Sequence, residues 1–182
     1  ASSSITMAPT SFGERAVDPA RAFAPVIKLG NQPLLVATHP AYKATTFAEL
    51  LALARREPGA VPFSTGGVGT PAHLAAEWLM ETAGIKLLHL PYSGAGVIYR
   101  DVLSGEVPVT FTYPGAAMGL IKSGQLRALA VTGDHRLETL PDVPTIAESG
   151  VRDFVVTSWY GLLAPAGTPP APAAEADERP AE

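Results

Sequence analysis

The sequence contains no cysteine and has fewer positive than negative charges. Without cysteine it can form no disulfide bond, thiolate metal site or cysteine nucleophile, and this absence fits a reducing or an oxidising compartment equally. Lys and Arg number 13 against 17 Asp and Glu, so the net charge of −4 provides no basic surface for nucleic acid or for an acidic membrane. We therefore expect no nucleic acid as a partner.

Long hydrophobic runs are also missing. No apolar run approaches the about 18 residues that cross a bilayer, and residues 1–10 show neither the basic start nor the apolar stretch of an export signal. Yet 47% of the residues are hydrophobic and 16% are charged, a balance typical of a globular protein with a substantial core. We expect a soluble chain that is not inserted in a membrane and from which any export signal has been removed.

The common sequence signatures of catalysis are absent as well. The chain has no G-x-S-x-G nucleophile elbow and no G-x-x-x-x-G-K-[ST] phosphate loop, and no lysine follows its own glycine-rich loop at Thr70-Pro71. We therefore expect a protein that is not an enzyme. A small hydrolase that uses Ser93 with His73 stays open as an alternative.

What the chain does contain is a repeated alternation of strand and helix patterns. Thr46-Phe47-Ala48-Glu49 has the form of a capping box, and the apolar spacing after it predicts a helix over about 46–57. Similar patterns predict strands over 61–65, 85–90, 107–111 and 126–132, helices over 74–84, 97–104, 116–123 and 144–149, and crossing segments over 24–27, 34–38 and 154–163. This alternation predicts an α/β fold with a mainly parallel sheet flanked by helices, whose ligands gather at the carboxyl ends of the strands.

The segment from Phe63 to Leu74 has the clearest chemistry, because a short apolar run gives way there to three glycines and a helix start. Glycine permits positive φ and close approach of a ligand, Thr70 can cap the helix, and Pro71 suits its first turn. Bare N–H groups at a helix N-terminus bind anions, so a carboxylate or phosphate fits this loop, although a tight turn without ligand is the alternative. The candidate ligand-binding residues are Thr65, Gly66, Gly67, Gly69 and Thr70.

Further candidates follow at other predicted strand ends. Tyr92 and Ser93 lie between a strand and a helix, where an ordinary turn is the alternative, and Thr112 follows the next strand. Trp159 could form an apolar wall of a cleft, although large aromatic residues equally belong to cores.

Metal binding is not expected. His73 and Glu77 are four residues apart and could share a helix face, but two ligands are too few for a metal site. His39, His89 and His135 belong to unrelated elements. We therefore expect His73 to be a structural residue.

Several motifs in a fixed order resemble a single family. They are DPARAFAPV, HPAYKATTFAELLALARREPGAVPFSTGGVGTPAHLAAEWL, HLPYSGAG, LSGEVPVTF, IKSGQLRALAVTG, LPDVPTIAESG and SWYGLLAPAGTP. Over most of its length the chain resembles the Bug or TctC family of extracytoplasmic solute receptors, which serve tripartite tricarboxylate transporters.

The resemblance implies a periplasmic binding protein with a type II-like fold, in which two α/β lobes close around a small carboxylate without catalysis. It also implies a periplasmic location, no cofactor, and the membrane permease subunits of a tripartite tricarboxylate transporter as partners. In the family the loop matching Thr65 to Thr70 faces the cleft, and His73 matches a recurrent histidine that positions this loop. Val68 replaces a polar residue, and Thr112 stands where many members have Asp, which favours plain carboxylic acids as ligands.

The chain departs from the family pattern at both ends. A member would begin with more of the first lobe, including its half of the carboxylate site, and would continue into long C-terminal helices. We expect residues 1–28 to be a partial first-lobe and crossing segment, 29–152 the second lobe, 153–168 a return crossing strand, and 169–182 a disordered Pro/Ala/acidic tail. A truncated receptor that serves as an interaction or sensory module without transport is the alternative function.

Overall fold

The computed structural model describes residues 1–13 and 16–169, which form two compact units. The central unit comprises Pro33–Thr157, and the terminal unit comprises residues 1–32 together with the described residues from Ser158 onward. Residues 170–182, which contain nearly all of the expected disordered tail, lie outside the described residues. None of the helices in the described part of the chain is long and apolar enough to cross a bilayer.

The order of elements confirms the predicted alternation of strands and helices in the central unit. In chain order the elements are α1 (Ser3–Phe12), α2 (Pro19–Ala22), β1 (Phe23–Pro33), β2 (Leu35–Thr38), α3 (Phe47–Arg56), β3 (Pro62–Thr65), α4 (Pro71–Ala83), β4 (Leu88–Pro91), α5 (Ala95–Leu103), β5 (Val109–Thr112), α6 (Pro114–Lys122), β6 (Arg127–Val131) and β7 (Thr157–Pro165). At the start of α3 the predicted capping box is present, because Thr46 and Glu49 satisfy each other's backbone N–H groups. Glu49 is therefore a helix cap, as the sequence indicates.

The central unit is built on a five-stranded sheet with the order β4-β3-β5-β2-β6. Strand β3 pairs in parallel with both β4 and β5, whereas β2 runs antiparallel to both β5 and β6. Four of the strands therefore point the same way, and the prediction of an α/β fold with a mainly parallel sheet is confirmed. The register pairs Leu35, at the start of β2, with Thr112, at the end of β5, so β2 begins at the edge where the other strands end.

Helices cover both faces of this sheet. Neighbouring strand residues point to opposite sides, so they pack against different helices. Val36 packs in a large cluster with residues of α3 and α4, including Phe47 and Leu79. Leu35, its neighbour, packs in a second cluster with residues of α5 and α6, including Val102. Strands β2 and β5 are buried along their whole length, as expected for strands that are covered by helices on both faces.

Thr132 connects the two ends of the central unit. Its buried hydroxyl accepts a hydrogen bond from the Leu34 N–H at 2.8 Å and donates one to the Val156 carbonyl at 2.6 Å. Its backbone also pairs with both residues, because its N–H donates to Leu34 and its carbonyl accepts from Val156. One residue therefore holds together the segments that open and close this unit.

The terminal unit contains α1, α2 and the two-stranded sheet of β1 and β7. Helix α1 was not indicated by the sequence, because it lacks a side-chain cap and contains Pro9. Ser3, at its start, is buried and accepts a hydrogen bond from the Trp159 N–H at 2.8 Å. Gly161 allows β1 to approach closely, since a Cβ atom there would lie 2.7 Å from the Ile27 carbonyl oxygen.

The predicted helix over 144–149 is wrong. Thr145 instead forms a parallel bridge with Val131, and the chain then makes turns that end at Gly150. The Val131 N–H donates to the Pro144 carbonyl, and the Ile146 N–H donates to the Val131 carbonyl. The segment therefore extends the edge of the sheet beyond β6, because its first backbone groups pair with the strand instead of starting a helix.

Candidate ligand-binding site

Three strand-to-helix junctions meet at one edge of the central sheet. Strand β3 lies between β4 and β5 and is parallel to both, so the carboxyl ends of the three strands are neighbours. Each strand leads within a few residues into a helix, namely α4, α5 and α6. The N-termini of three helices, each with unpaired N–H groups and a partial positive charge, therefore gather at this edge.

The glycine loop between β3 and α4 has the backbone conformation that the sequence predicts. Gly67 has φ 125° and Gly69 has φ 76°, values that side-chain-bearing residues rarely adopt. Thr70 caps α4, because its hydroxyl accepts from the His73 N–H and donates to the Gly67 carbonyl at 2.8 Å. Pro71 occupies the first turn, as expected.

The donors that the loop leaves available are backbone N–H groups. In the part of the chain that the structure describes, the N–H groups of Gly66, Val68 and Ala72 donate to no protein acceptor. The hydroxyls of Thr65 and Thr70 already have protein partners. The geometry therefore favours recognition of an anion by main-chain donors, with the two threonines shaping the loop.

Two histidines pack side by side next to this loop. The rings of His73 and His89 stack with centroids 4.1 Å apart, and Phe63 stacks on His89 at 5.0 Å. Burial, together with the nearby charge of His73, lowers the pKa of His89 from 6.5 to about 4. The ring of His89 is therefore neutral at ordinary pH.

Each histidine also contacts the loop directly. The Nδ1 atom of His73 accepts a hydrogen bond from the Gly69 N–H at 3.3 Å, and Nε2 of His89 lies 2.7 Å from the Thr65 hydroxyl. From the sequence alone, His89 belongs to an unrelated element and no role in the site is predicted for it. It was missed because the pairing of β4 with β3, which brings it beside Thr65, has no local signature.

The second candidate pair, Tyr92 and Ser93, lies at the junction of β4 and α5. The Tyr92 hydroxyl donates to Asp101 on α5 at 2.8 Å, and its ring packs against the second core cluster. Its backbone N–H pairs with the Thr65 carbonyl. Ser93 is exposed at the same junction. The Tyr92 side chain therefore holds α5 in place, and Ser93 is the more exposed residue of the pair.

The remaining candidates, Thr112 and Trp159, lie in different units. Thr112 ends β5 at the shared sheet edge, but its side chain is 9% exposed and its hydroxyl lies 2.8 Å from that of Tyr99. Trp159 lies on β7 in the terminal unit, where it is half-buried. The structure therefore brings Thr112 to the glycine loop's edge of the sheet and places Trp159 outside the central unit.

The described residues offer no evident ligand set for a metal ion. His73 Nε2 lies 3.3 Å from Glu77 Oε1, as the helical spacing predicts. Within residues 1–13 and 16–169, no three His, Cys, Asp or Glu residues are grouped so that they could hold a metal ion.

A cavity of about 950 Å³ lies elsewhere on the central unit. Its lining includes Trp78, Met80 and Ile85, at the carboxyl half of α4 and the segment after it. This hollow is remote from the N-terminus of α4 and has no convergent N–H donors from helix starts. We therefore place the candidate site at the glycine loop.

Comparison with known proteins identifies a family. Residues 1–174 match the family described as tripartite tricarboxylate transporter family receptor, TctC. Among curated proteins, Protein BugT of Bordetella pertussis is 36% identical over 146 residues, which cover 80% of this chain and 45% of BugT. The chain thus spans about half the length of the curated relatives it matches.

Solved structures give the same result. R. palustris Rpa4515 with adipate superposes with a TM-score of 0.91 at 30% identity, covering 97% of this chain and 59% of that one. MatC from Rhodopseudomonas palustris with bound malate superposes with a TM-score of 0.84 at 25% identity, covering 93% and 58%. These matches confirm the periplasmic-binding-protein fold and the resemblance noted in the sequence, and the chain belongs to the TctC family of tripartite tricarboxylate transporter receptors.

Proposed function

We propose that the chain captures a small carboxylate at the glycine-loop edge of the central sheet, as part of a periplasmic receptor. The observation that carries this proposal is the gathering of three helix N-termini with unpaired N–H groups around Gly66 and Val68. Such donors match carboxylate oxygens, and charge-assisted hydrogen bonds of this kind contribute about 1.5–3 kcal/mol each. The structural relatives solved with adipate and with malate support the same ligand class.

The local charge also favours a carboxylate over a bulkier polyanion. No Lys or Arg occurs in the three junction segments, at 65–73, 91–95 and 112–116. Recognition would then depend on helix dipoles and directed N–H groups, without the lysine that phosphate-binding loops provide for a phosphate chain. The membrane permease subunits of a tripartite tricarboxylate transporter are the partners that this receptor would serve.

The test is a titration of the purified chain with mono-, di- and tricarboxylates, including adipate and malate. A ligand that binds only the folded state raises its stability by RT ln(1 + L/Kd), where L is the free ligand concentration, so the melting temperature should rise. Adipamide, which has the length of adipate without its charge, is the matched control and should give no rise. A flat response to the whole panel at millimolar concentration would contradict carboxylate capture by this chain and favour an interaction or sensory module.

Hydrolysis is the remaining alternative, and the contacts of His73 argue against it. Its Nδ1 atom accepts from Gly69 and its Nε2 atom faces Glu77, so both ring nitrogens are engaged away from Ser93. A serine nucleophile needs a base within hydrogen-bond reach. Incubation with a chromogenic ester and a serine-directed phosphonate should give neither turnover nor adduct, and either product would revive this alternative.

A further inference from the structure

The stacked histidines hold two separate points of the glycine loop. His73 accepts a hydrogen bond from the Gly69 N–H, and His89 contacts the Thr65 hydroxyl. That hydroxyl in turn accepts from the Gly67 N–H at 3.3 Å. Because the two rings lie against each other, a displacement of either ring would disturb both points of the loop.

The contact between His73 and Gly69 requires one protonation state. A ring nitrogen that accepts a hydrogen bond carries no proton, so neutral His73 has its proton on Nε2, which faces Glu77 at 3.3 Å. Addition of a second proton would turn Nδ1 into a donor that faces the Gly69 N–H. Two donors repel each other, so the loop would have to move.

The surroundings of the pair contain few other charges. Helix α4 presents Glu77 to His73, strand β4 supplies His89, and strand β3 presents the uncharged Phe63 and Thr65. Among the residues that the structure describes, Glu77 is the one carboxylate in contact with either ring. Simultaneous protonation of two stacked and partly buried rings is unfavourable, because like charges at this distance repel strongly.

Building on the proposed carboxylate site, we propose that His73 and His89 are positioning residues that hold the glycine loop in its ligand-binding geometry only while Nδ1 of His73 is unprotonated. Acidification then redirects the loop N–H groups and weakens ligand capture. Neither histidine needs to touch the ligand, since both act through Gly69 and Thr65.

The direct test follows the backbone N–H signal of Gly69 by NMR in the complete chain without ligand. As the pH is lowered from about 8 to about 5, this signal should move together with the ring signals of His73. His73→Asn is the matched control, because the Asn side-chain oxygen can accept from Gly69 but does not titrate. In that variant the Gly69 signal should stay fixed. A Gly69 signal that ignores His73, or that moves equally in the variant, would overturn the proposal.

A second variant keeps the test decisive if His73→Asn fails to fold. Glu77→Gln leaves both rings and the Gly69 contact in place but removes the carboxylate that faces Nε2. The midpoint of the Gly69 titration should then move to lower pH, because the protonated ring loses a favourable partner. An unchanged midpoint would contradict the proposal.

Adipate serves as the probe for the effect on binding. Between about pH 8 and about pH 6 the wild-type affinity for adipate should fall about fivefold, as expected for the loss of one hydrogen bond, while His73→Asn should show a flat profile. Equal pH dependence in the two proteins would count against the positioning role. A wild-type chain that binds no carboxylate at about pH 8 would refute the proposed function, and the Gly69 signal would still decide the role of the histidines.

Discussion

The hydroxyl of Tyr99 lies 2.8 Å from the hydroxyl of Thr112, which joins the side of α5 to the end of β5. Thr112 is buried and Tyr99 is half-buried, and burial raises the pKa of Tyr99. The resemblance favours Thr112 as a ligand-contacting position. Its hydroxyl is already paired within the protein, so we expect Thr112 also to fix the spacing of α5 and the end of β5 at the candidate site.

Thr112→Val should therefore lower the free energy of unfolding by about 1–3 kcal/mol, because it leaves the Tyr99 hydroxyl without its partner. Urea denaturation of the variant measures this loss. Tyr99→Phe removes the other partner, and the double variant should cost clearly less than the two single losses combined. Additive losses would show that the two hydroxyls do not interact.

Gly67→Ala should weaken carboxylate binding and destabilise the chain by about 1–3 kcal/mol, because φ at this position is 125° and a new Cβ atom would lie 3.4 Å from the Tyr92 carbonyl oxygen. Gly59→Ala is the matched control, since this glycine also has a positive φ of 75° but lies outside the three junction segments, and its Cβ atom would meet nothing within 4 Å. Calorimetric titration with adipate should separate the two variants. Equal affinities would remove Gly67 from the site.

Thr70→Ala should destabilise the chain by about 0.5–2 kcal/mol through loss of the cap on α4, and Thr70→Ser should restore most of that loss. Thr46→Ala breaks the capping box of α3, away from the loop, and serves as a comparison of equal chemistry. Of these two variants, only the Thr70 variant should also reduce the response to adipate, because the Thr70 hydroxyl donates to the Gly67 carbonyl and Thr46 lies away from the loop. A loss of response in the Thr46 variant would point to a general effect of stability.

The pH dependence of stability should include a contribution from His89. Its pKa is about 4 in the folded chain against an ordinary value of 6.5, so the unfolded chain binds the proton first as the pH falls. The stability that the neutral His89 ring contributes to the folded chain is fully present above about pH 6.5. It is lost progressively as the pH falls toward about pH 4. Chemical denaturation across this window should show a steeper fall in the wild type than in His89→Gln, whose side chain does not titrate. Parallel curves would exclude His89 as the cause.

Gly161→Ala should disturb the pairing of β1 with β7, because the added Cβ atom would lie 2.7 Å from the Ile27 carbonyl oxygen. We expect a loss of about 1–3 kcal/mol from the strain of this close approach. Gly30→Ala, on β1 itself, is the control, since a Cβ atom there meets nothing within 4 Å. Thermal denaturation compares the two variants, and similar melting temperatures would argue against the tight contact.

The parts of the fold that the sequence predicts well are those decided by local chemistry. Thr46 and Glu49 form a real capping box, and Thr70 with Pro71 starts α4 as expected. Thr145 and Glu148 show the limit of such reasoning, because they exchange the same pair of hydrogen bonds in a segment that is not a helix. There the pairing of the backbone with Val131 outweighs the local signal.

The candidate site likewise has features that local chemistry decides and features that long-range strand pairing decides. The positive φ values of Gly67 and Gly69 and the start of α4 follow from the residue types. The contact of His89 with Thr65 depends on which strands become neighbours, and the antiparallel direction of β2 likewise depends on pairing with strands far along the chain. Such pairing reflects the energy of the whole sheet, which no short window of sequence contains.

Thr132 has a consequence for the way this unit is joined to the rest of the chain. Leu34 and Thr132 are 98 residues apart in the sequence but are joined by a hydrogen bond, and Val156 also bonds to Thr132. The first and last segments of the central unit therefore lie side by side. A unit whose ends meet in this way has the geometry of an inserted domain, since it can be accommodated in a host sequence without separating the flanking residues. New termini could then be opened in an exposed loop of this unit and the old ends joined by a short linker, which makes the central unit a natural subject for circular permutation.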